Sequence, residues 1–369
     1  MSNEPIDPFK GEALPVPPAV ADSAAERRSA MLEDLRAGSL STLAGEAEHW
    51  LREIAEGKRP PIATPWEEVN RELGGGYRPG CHVIVGNPKA GKSAFALQFA
   101  RSAAEQGAPV VYVALELDSK QLYARLLAMG DAQKDSWSSY VLGEQKTAAL
   151  EALLSGDGGR LRALPFHVIH GDAHGWEAGD LAALPAALRE LHPTATLPPV
   201  VIVDFLQLVS SEDAREELRQ RIARAAYAAR MAARKDNAIV ILVSSTAREQ
   251  YGSLDPDMAK AEKKADAEKK AKPPGEGNAA RFMGLGKESG EIEYAADTVL
   301  VLATDRREQA DMGRHPGGRL VWAALAATRA FPKGSKGWAA LRFNGSRFVD
   351  SAGDNAAGTW GQIDSSEME

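Results

Sequence analysis

The chain has 369 residues, 44% of them hydrophobic and 26% charged, with a formal net charge of −7. That length admits one large α/β domain with appendages or two small domains, and the acid excess excludes a uniformly basic nucleic-acid coat while allowing a local basic lining. A single cysteine, Cys81, excludes an intramolecular disulfide and a cysteine-built zinc site, and no apolar run approaches the roughly 20 residues of a membrane span, so no membrane partner is expected.

Residues 1–22 are Pro-rich and polar and read as a disordered tail without the apolar segment of a secretory signal; a cytoplasmic, reduced setting is the expectation. Residues 23–58 read as a helical linker or arm. Leu32, Leu35, Leu43, Trp50, Leu51 and Ile54 recur among charges, Gly38-Ser39 interrupts the pattern, and Lys58-Arg59-Pro60-Pro61 ends it because proline cannot continue a helix. The composition suits either a packing appendage or an arm for a neighbouring subunit.

Residues 59–350 form the main domain. A lead-in, Thr64-Pro65-Trp66-Glu67-Glu68-Val69-Asn70, runs to the turn Leu73-Gly74-Gly75-Gly76-Tyr77-Arg78-Pro79-Gly80, which feeds the first strand. Val110-Val111-Tyr112-Val113-Ala114-Leu115 is a second strand ending at Glu116. A helix follows over 119–129, with Leu122, Leu126 and Met129 on one face. Residues 130–165 are irregular or short-helical, and Phe166-His167-Val168-Ile169 reads as a short strand. An Ala/Leu-rich helix spans 181–191, where Pro185 either kinks it or starts it. Val200-Val201-Ile202-Val203-Asp204 is a continuous apolar run ending in an acid, the pattern of a parallel strand covered on both faces.

Leu218, Ile222, Ala225 and Ala229 mark a long helix, and Ile239-Val240-Ile241-Leu242-Val243 a strand ending in Ser244-Ser245-Thr246. Strands alternating with helices predict a mostly parallel α/β sheet. Residues 255–280 break the pattern: 259–272 hold six lysines against three acids. This Lys/Ala-rich stretch reads as a mobile insertion, either a solvated loop or a basic finger for a polyanion. Strand 298–302 follows, then a C-terminal β-hairpin from 320–328 and 338–343, and residues 351–369 read as a disordered acidic tail.

The first strand carries the most specific signal. Val83-Ile84-Val85 runs into Gly86-Asn87-Pro88-Lys89-Ala90-Gly91-Lys92-Ser93, a Gly-x-x-x-x-Gly-Lys-Ser phosphate loop, and a helix follows. Gly86 and Gly91 let successive N–H groups face one anion, and the new helix points its positive end at the same place. Lys92 is the residue to reach the β- and γ-phosphates of ATP, and the Ser93 hydroxyl the one to hold Mg²⁺. Two acids end apolar strands, Glu116 and Asp204. Ligands collect at the carboxyl ends of parallel strands, which puts Glu116, Asp204 and Ser245 on the edge that carries the phosphate loop. Asp204 suits the metal-holding acid and Glu116 the base that orients water.

Over 61–349 the chain resembles the C-terminal RecA-like ATPase domain of DnaB-type replicative helicases. The resemblance is carried by Leu73 to Gly80, by Ala114-Leu115-Glu116-Leu117 with Gln121-Leu122 and Arg125-Leu126-Leu127, and by Val201-Ile202-Val203-Asp204-Phe205-Leu206-Gln207-Leu208. Lys287-Glu288-Ser289-Gly290-Glu291-Ile292-Glu293 with Ala296-Asp297, and Leu341-Arg342-Phe343-Asn344-Gly345, complete it. It implies a RecA-like P-loop NTPase fold and a homo-oligomeric ring, a hexamer by family habit. It implies ATP hydrolysis at subunit boundaries, movement along single-stranded DNA, and a replication loader or primase as partner. It further implies that the helix near 41–56 packs on the next subunit, that Arg329 reaches the neighbour's site, and that Arg248 and Lys287 contact DNA.

Three departures stand out. The family's globular N-terminal domain has no counterpart in residues 1–40, Ser245 stands where the family carries a γ-phosphate-sensing glutamine, and Ala327 stands where it carries a second trans cation, a lysine. Lys333 and Lys336 are the nearby lysines that could replace it. The departures keep alternatives open: a RecA-like ATPase that binds DNA or protein without unwinding, or a weakly hydrolysing loader or scaffold.

Overall fold

A computed structural model describes residues 24–130, 147–170, 176–210, 216–245, 292, 295–304, 318–329 and 337–351. The tails 1–22 and 352–369, the insertion 255–280, and Arg248, Lys287, Lys333 and Lys336 lie outside the described residues. The chain divides into two compact units, with the boundary between Pro60 and Pro61.

The first unit holds helices α1 (Ala24–Ala37) and α2 (Leu40–Ala55), parted at the Gly38-Ser39 break. Pairs four apart, Arg52 with Glu48 and His49 with Glu53, lace the surface of α2. Leu40, Trp50 and Leu51 are exposed on it.

The second unit is built on a nine-stranded sheet. In chain order its strands are β1 (Gly80–Gly86), β2 (Val110–Ala114), β3 (Phe166–His170), β4 (Val200–Asp204), β5 (Ile239–Ser245), β6 (Thr298–Thr304), β7 (Arg319–Thr328), β8 (Trp338–Phe343) and β9 (Phe348–Asp350). Their order in space is β3-β2-β4-β5-β1-β6-β7-β8-β9. The first six strands of that order run parallel, and β7, β8 and β9 continue the sheet antiparallel.

The unbroken apolar runs of β1, β2, β4 and β5 make sense in this sheet, because both faces are covered. Alternate residues sort to opposite sides. Ile84, Tyr112, Ile202 and Ile241 join one core, with Phe95, Leu97 and Phe99 of α4 (Lys92–Glu105) and Leu122 and Leu126 of α5 (Ser119–Gly130). Val83, Val113, Val203 and Leu242 join the other, with Leu181, Leu184 and Leu188 of α8 (Ala178–Leu191) and Ile222, Ala225 and Ala229 of α9 (Leu218–Lys235). Helix α8 starts seven residues ahead of Pro185, so the proline is internal and buried, and a Glu177/Asp180 capping box sets the helix start. The stretch 147–163 folds as two short helices, α6 (Thr147–Ser155) and α7 (Asp157–Ala163).

The lead-in before β1 is more than a turn. Glu67–Leu73 is helix α3, and it closes the domain against the C-terminal strands. Trp66, fully buried, stacks on Phe95 at 4.1 Å and donates its indole N–H to the Phe348 carbonyl at 3.1 Å. Asp350 accepts the Glu67 and Glu68 N–H groups, and Glu72 accepts that of Gly337.

Candidate functional site

The phosphate loop leaves the carboxyl end of β1 and turns into α4. Gly91 sits at the helix N-cap with φ 98°, and a Cβ there would stand 2.7 Å from the Phe348 ring. A Cβ on Gly86 would stand 2.8 Å from the Leu302 carbonyl of the adjacent β6. The two glycines therefore serve the approach of neighbouring elements as well as the loop's own curl. Lys92 donates through Nζ to the carbonyls of Gly86 and Asn87 at 2.8 and 3.0 Å. Burial lowers its pKa to about 8, against the opposing pull of Asp204 and Glu116.

Asp204 ends β4, two strands from β1, and is 1% exposed. Its Oδ1 accepts the Ser93 hydroxyl at 3.2 Å and its Oδ2 the Tyr112 hydroxyl at 2.6 Å. Burial raises the Asp204 pKa; Glu116 adds to the rise, and the two hydroxyl donors and Lys92 oppose it. A cleft of about 650 Å³ opens beside them. Its lining includes Lys92, Ser93, Glu116, Asp204, Ser245 and Arg125. The predicted acids and the phosphate loop thus meet at one edge of the sheet, and Asn87 and Ala90 lie in the same loop as Pro88 and Lys89.

The oxygen donors suit Mg²⁺. A buried carboxylate whose proton affinity is raised by desolvation gains from a nearby cation, and Ser93 supplies a second hard oxygen. Magnesium usually keeps several waters and is bound through one or two carboxylates and substrate phosphates, a pattern this pair fits.

Arg329 is not in this cleft. It follows β7, where Thr328 pairs with Thr298, and Thr298 pairs with His82 on β1. From His82 to the loop at Gly86 the strand rises roughly 13 Å, so Arg329 stands at the opposite edge of the sheet. There it pairs with Asp297 at 2.9 Å, in a second cleft of about 260 Å³ that Arg78 also lines. Ala327 pairs with Val299 and packs against the second core.

Three contributors escaped the sequence reading. Tyr112 holds Asp204; a lone tyrosine inside an otherwise apolar strand was its only signal. Arg319, at the start of β7, donates to the Lys89 carbonyl of the phosphate loop and lies over the Phe343 ring, 5.2 Å from its centroid. Gln207, just past Asp204, donates to the Ser244 hydroxyl at 2.8 Å. Of the last two, Gln207 falls within the run 201–208 that carries the family resemblance, whereas Arg319 has no local sequence signal.

Fold and cleft together define an α/β P-loop nucleotide-binding domain. The family model for the DnaB-like helicase C terminal domain matches residues 61–345, and the chain belongs to that family. It is 26% identical over 274 residues to a replicative DNA helicase DnaB from Leifsonia xyli subsp. xyli, covering 70% of this chain and 50% of that relative. It is 27% identical over 191 residues to a replicative DNA helicase DnaB from Synechocystis sp., covering 51% of this chain and 21% of that relative. The chain thus spans half or less of the length of these curated relatives. Among solved structures it is similar to an ATPase domain, with TM-score 0.63, 20% identity and coverage of 85% of this chain and 99% of that one. It is also similar to a DnaB-like replicative helicase solved for its interactions with primase, with TM-score 0.61, 20% identity and coverage of 88% and 71%. The expected RecA-like fold, a mostly parallel sheet flanked by helices, is the fold observed. Among the described residues no helix is long and apolar enough to cross a membrane.

Proposed function

We propose that this chain is the ATPase motor of a DnaB-type DNA helicase that moves along single-stranded DNA in replication. The observation that carries the proposal is the meeting of Ser93, Lys92, Asp204 and Glu116 at one cleft, in a chain of the DnaB family. Lys92 exchanges its carbonyl partners for the β- and γ-phosphates of ATP, and the N–H groups at the start of α4 face the same anion. Ser93 and Asp204 hold Mg²⁺, which when bound neutralises charge on the phosphates. Glu116, on the loop after β2, orients the attacking water and accepts its proton. Ser245, at the end of β5, lines the same cleft and takes the place of the family's glutamine.

Arg329, too far from its own phosphate loop, acts on the nucleotide of a neighbouring subunit; such fingers contribute on the order of 10³–10⁵ in rate. That division of the site calls for a ring, with a hexamer as the expected size. Arg248, Lys287 and the lysine-rich stretch are the proposed DNA contacts. A primase or loader is the proposed replication partner, and the cytoplasm the proposed setting.

The test is ATPase activity with and without single-stranded DNA, together with strand displacement from a forked duplex. The expected result is DNA-stimulated hydrolysis and displacement, both lost in Lys92→Ala and in Glu116→Gln, with the latter still binding ATP. Hydrolysis indifferent to DNA overturns the helicase assignment in favour of a RecA-like ATPase that does not unwind.

A further inference from the structure

We propose that Asp297 is the positioning residue for Arg329, fixing the guanidinium at the sheet edge and tying it to the strand that ends in the chain's own phosphate loop. This rests on the trans role proposed for Arg329. Asp297 stands just ahead of β6 and spends its side chain and its main chain on the same two partners. Its Oδ1 lies 2.9 Å from Arg329 Nε, and its backbone carbonyl accepts the Arg329 N–H at 3.0 Å. Its Oδ2 accepts the Cys81 N–H at 3.0 Å, and its own N–H donates to the Cys81 carbonyl at 2.6 Å. The carboxylate fits against β1 because residue 80 is glycine: a Cβ there would stand 2.8 Å from Oδ2.

The arrangement is shaped for aim. Partly exposed ion pairs add little to stability, and here the Arg329 side chain keeps 48% of its exposure and that of Asp297 23%. Asp297 takes the guanidinium at Nε, the nitrogen nearest the chain, which also donates to the Ala296 carbonyl at 3.4 Å, so the contact sets the direction of the group from its base. Arg78 lines the same cleft, so the carboxylate also offsets the repulsion between two like charges. Cys81, the other partner, lies on β1 five residues ahead of Gly86. One carboxylate therefore anchors both the finger offered to a neighbour and the base of the strand that carries the local phosphate loop.

The test is a double-mutant cycle on the DNA-stimulated ATPase of the full chain, with Asp297→Asn and Arg329→Ala. Arg329→Ala is expected to lower kcat by about 10³. Asp297→Asn, which keeps an acceptor for the Cys81 N–H, is expected to lower kcat by about a hundredfold, the scale of a small misplacement of a catalytic group. In the Arg329→Ala background, Asp297→Asn should change kcat by less than about twofold, and affinity for a fluorescent ATP analogue should stay within the same margin throughout. Additive losses, or a fall in nucleotide affinity matching the fall in kcat, make Asp297 a purely structural residue and overturn the proposal while leaving the finger standing. An unchanged kcat in Arg329→Ala removes the finger itself, and the proposal falls with it. If Asp297→Asn fails to fold, Asp297→Glu carries the test: it keeps the charge but displaces the carboxylate by one methylene, and its kcat loss should again vanish without Arg329.

Discussion

Tyr112→Phe removes one oxygen atom from the domain and addresses one bond, the hydroxyl donated to Asp204 Oδ2 at 2.6 Å. The ring stays in the core that β2 shares with α4 and α5, so packing is preserved. A hydrogen bond to a buried ionised group contributes about 1.5–3 kcal/mol, and here it favours the charged form of a carboxylate whose pKa burial has raised. In the role proposed for it, Asp204 must be ionised to support Mg²⁺. Below the acid limb of the kcat/KM profile, the variant should therefore lose roughly ten- to hundredfold relative to the parent. Above the limb Asp204 is ionised in both proteins and the gap should close, so the limb of the variant moves to higher pH. The assay is steady-state ATP hydrolysis across pH at saturating Mg²⁺, using kcat/KM because it reports the free enzyme. Superimposable profiles would refute the view that Tyr112 sets the charge state of Asp204. A uniform loss at every pH would refute it equally, pointing instead to a fault in packing.

Asp204→Asn should abolish hydrolysis yet raise the melting temperature of the nucleotide-free protein at pH 8. Because burial raises the Asp204 pKa, the folded state takes its proton more readily than the unfolded chain; this favours the fold at acid, and the advantage is lost as pH rises through the raised value. The melting difference between variant and parent should accordingly shrink as the pH is lowered, and a gap that widens towards acid would contradict the assignment. Trp66→Ala should cost about 3–5 kcal/mol in denaturant unfolding, since a fully buried indole loses its stack on Phe95 and its bond to Phe348. Phe348 abuts Gly91, so nucleotide affinity should fall as well; intact affinity would show that the phosphate loop holds its shape without the α3–β9 closure.

Much of the site was legible because its signals are local. The phosphate loop is eight consecutive residues, and an apolar run ended by an acid marks a strand terminus facing the ligand edge, which is how Glu116 and Asp204 stand out. Helix α3, with seven residues, and strand β9, with three, were not legible. Elements that short have too few internal bonds to stand by themselves, and here they exist because Trp66, Glu72 and Asp350 join the two ends of the domain. Arg319 is silent for a similar reason: its partner, the Lys89 carbonyl, lies 230 residues away in the chain.

By itself the sequence determined the longer strands and helices, that the central strands are covered on both faces, and which loop is the candidate phosphate site. Those follow from periodicity and from the backbone demands of one loop. The order β3-β2-β4-β5-β1-β6 was decided only in the tertiary structure, because runs of valine, isoleucine and leucine are interchangeable as neighbours until helices of particular shape pack over them. That order brings Asp204 to Ser93 across 111 residues, and sets Tyr112 behind it. It also sends Arg329 to the far edge beside Asp297, where the proposed shared site depends on a second subunit.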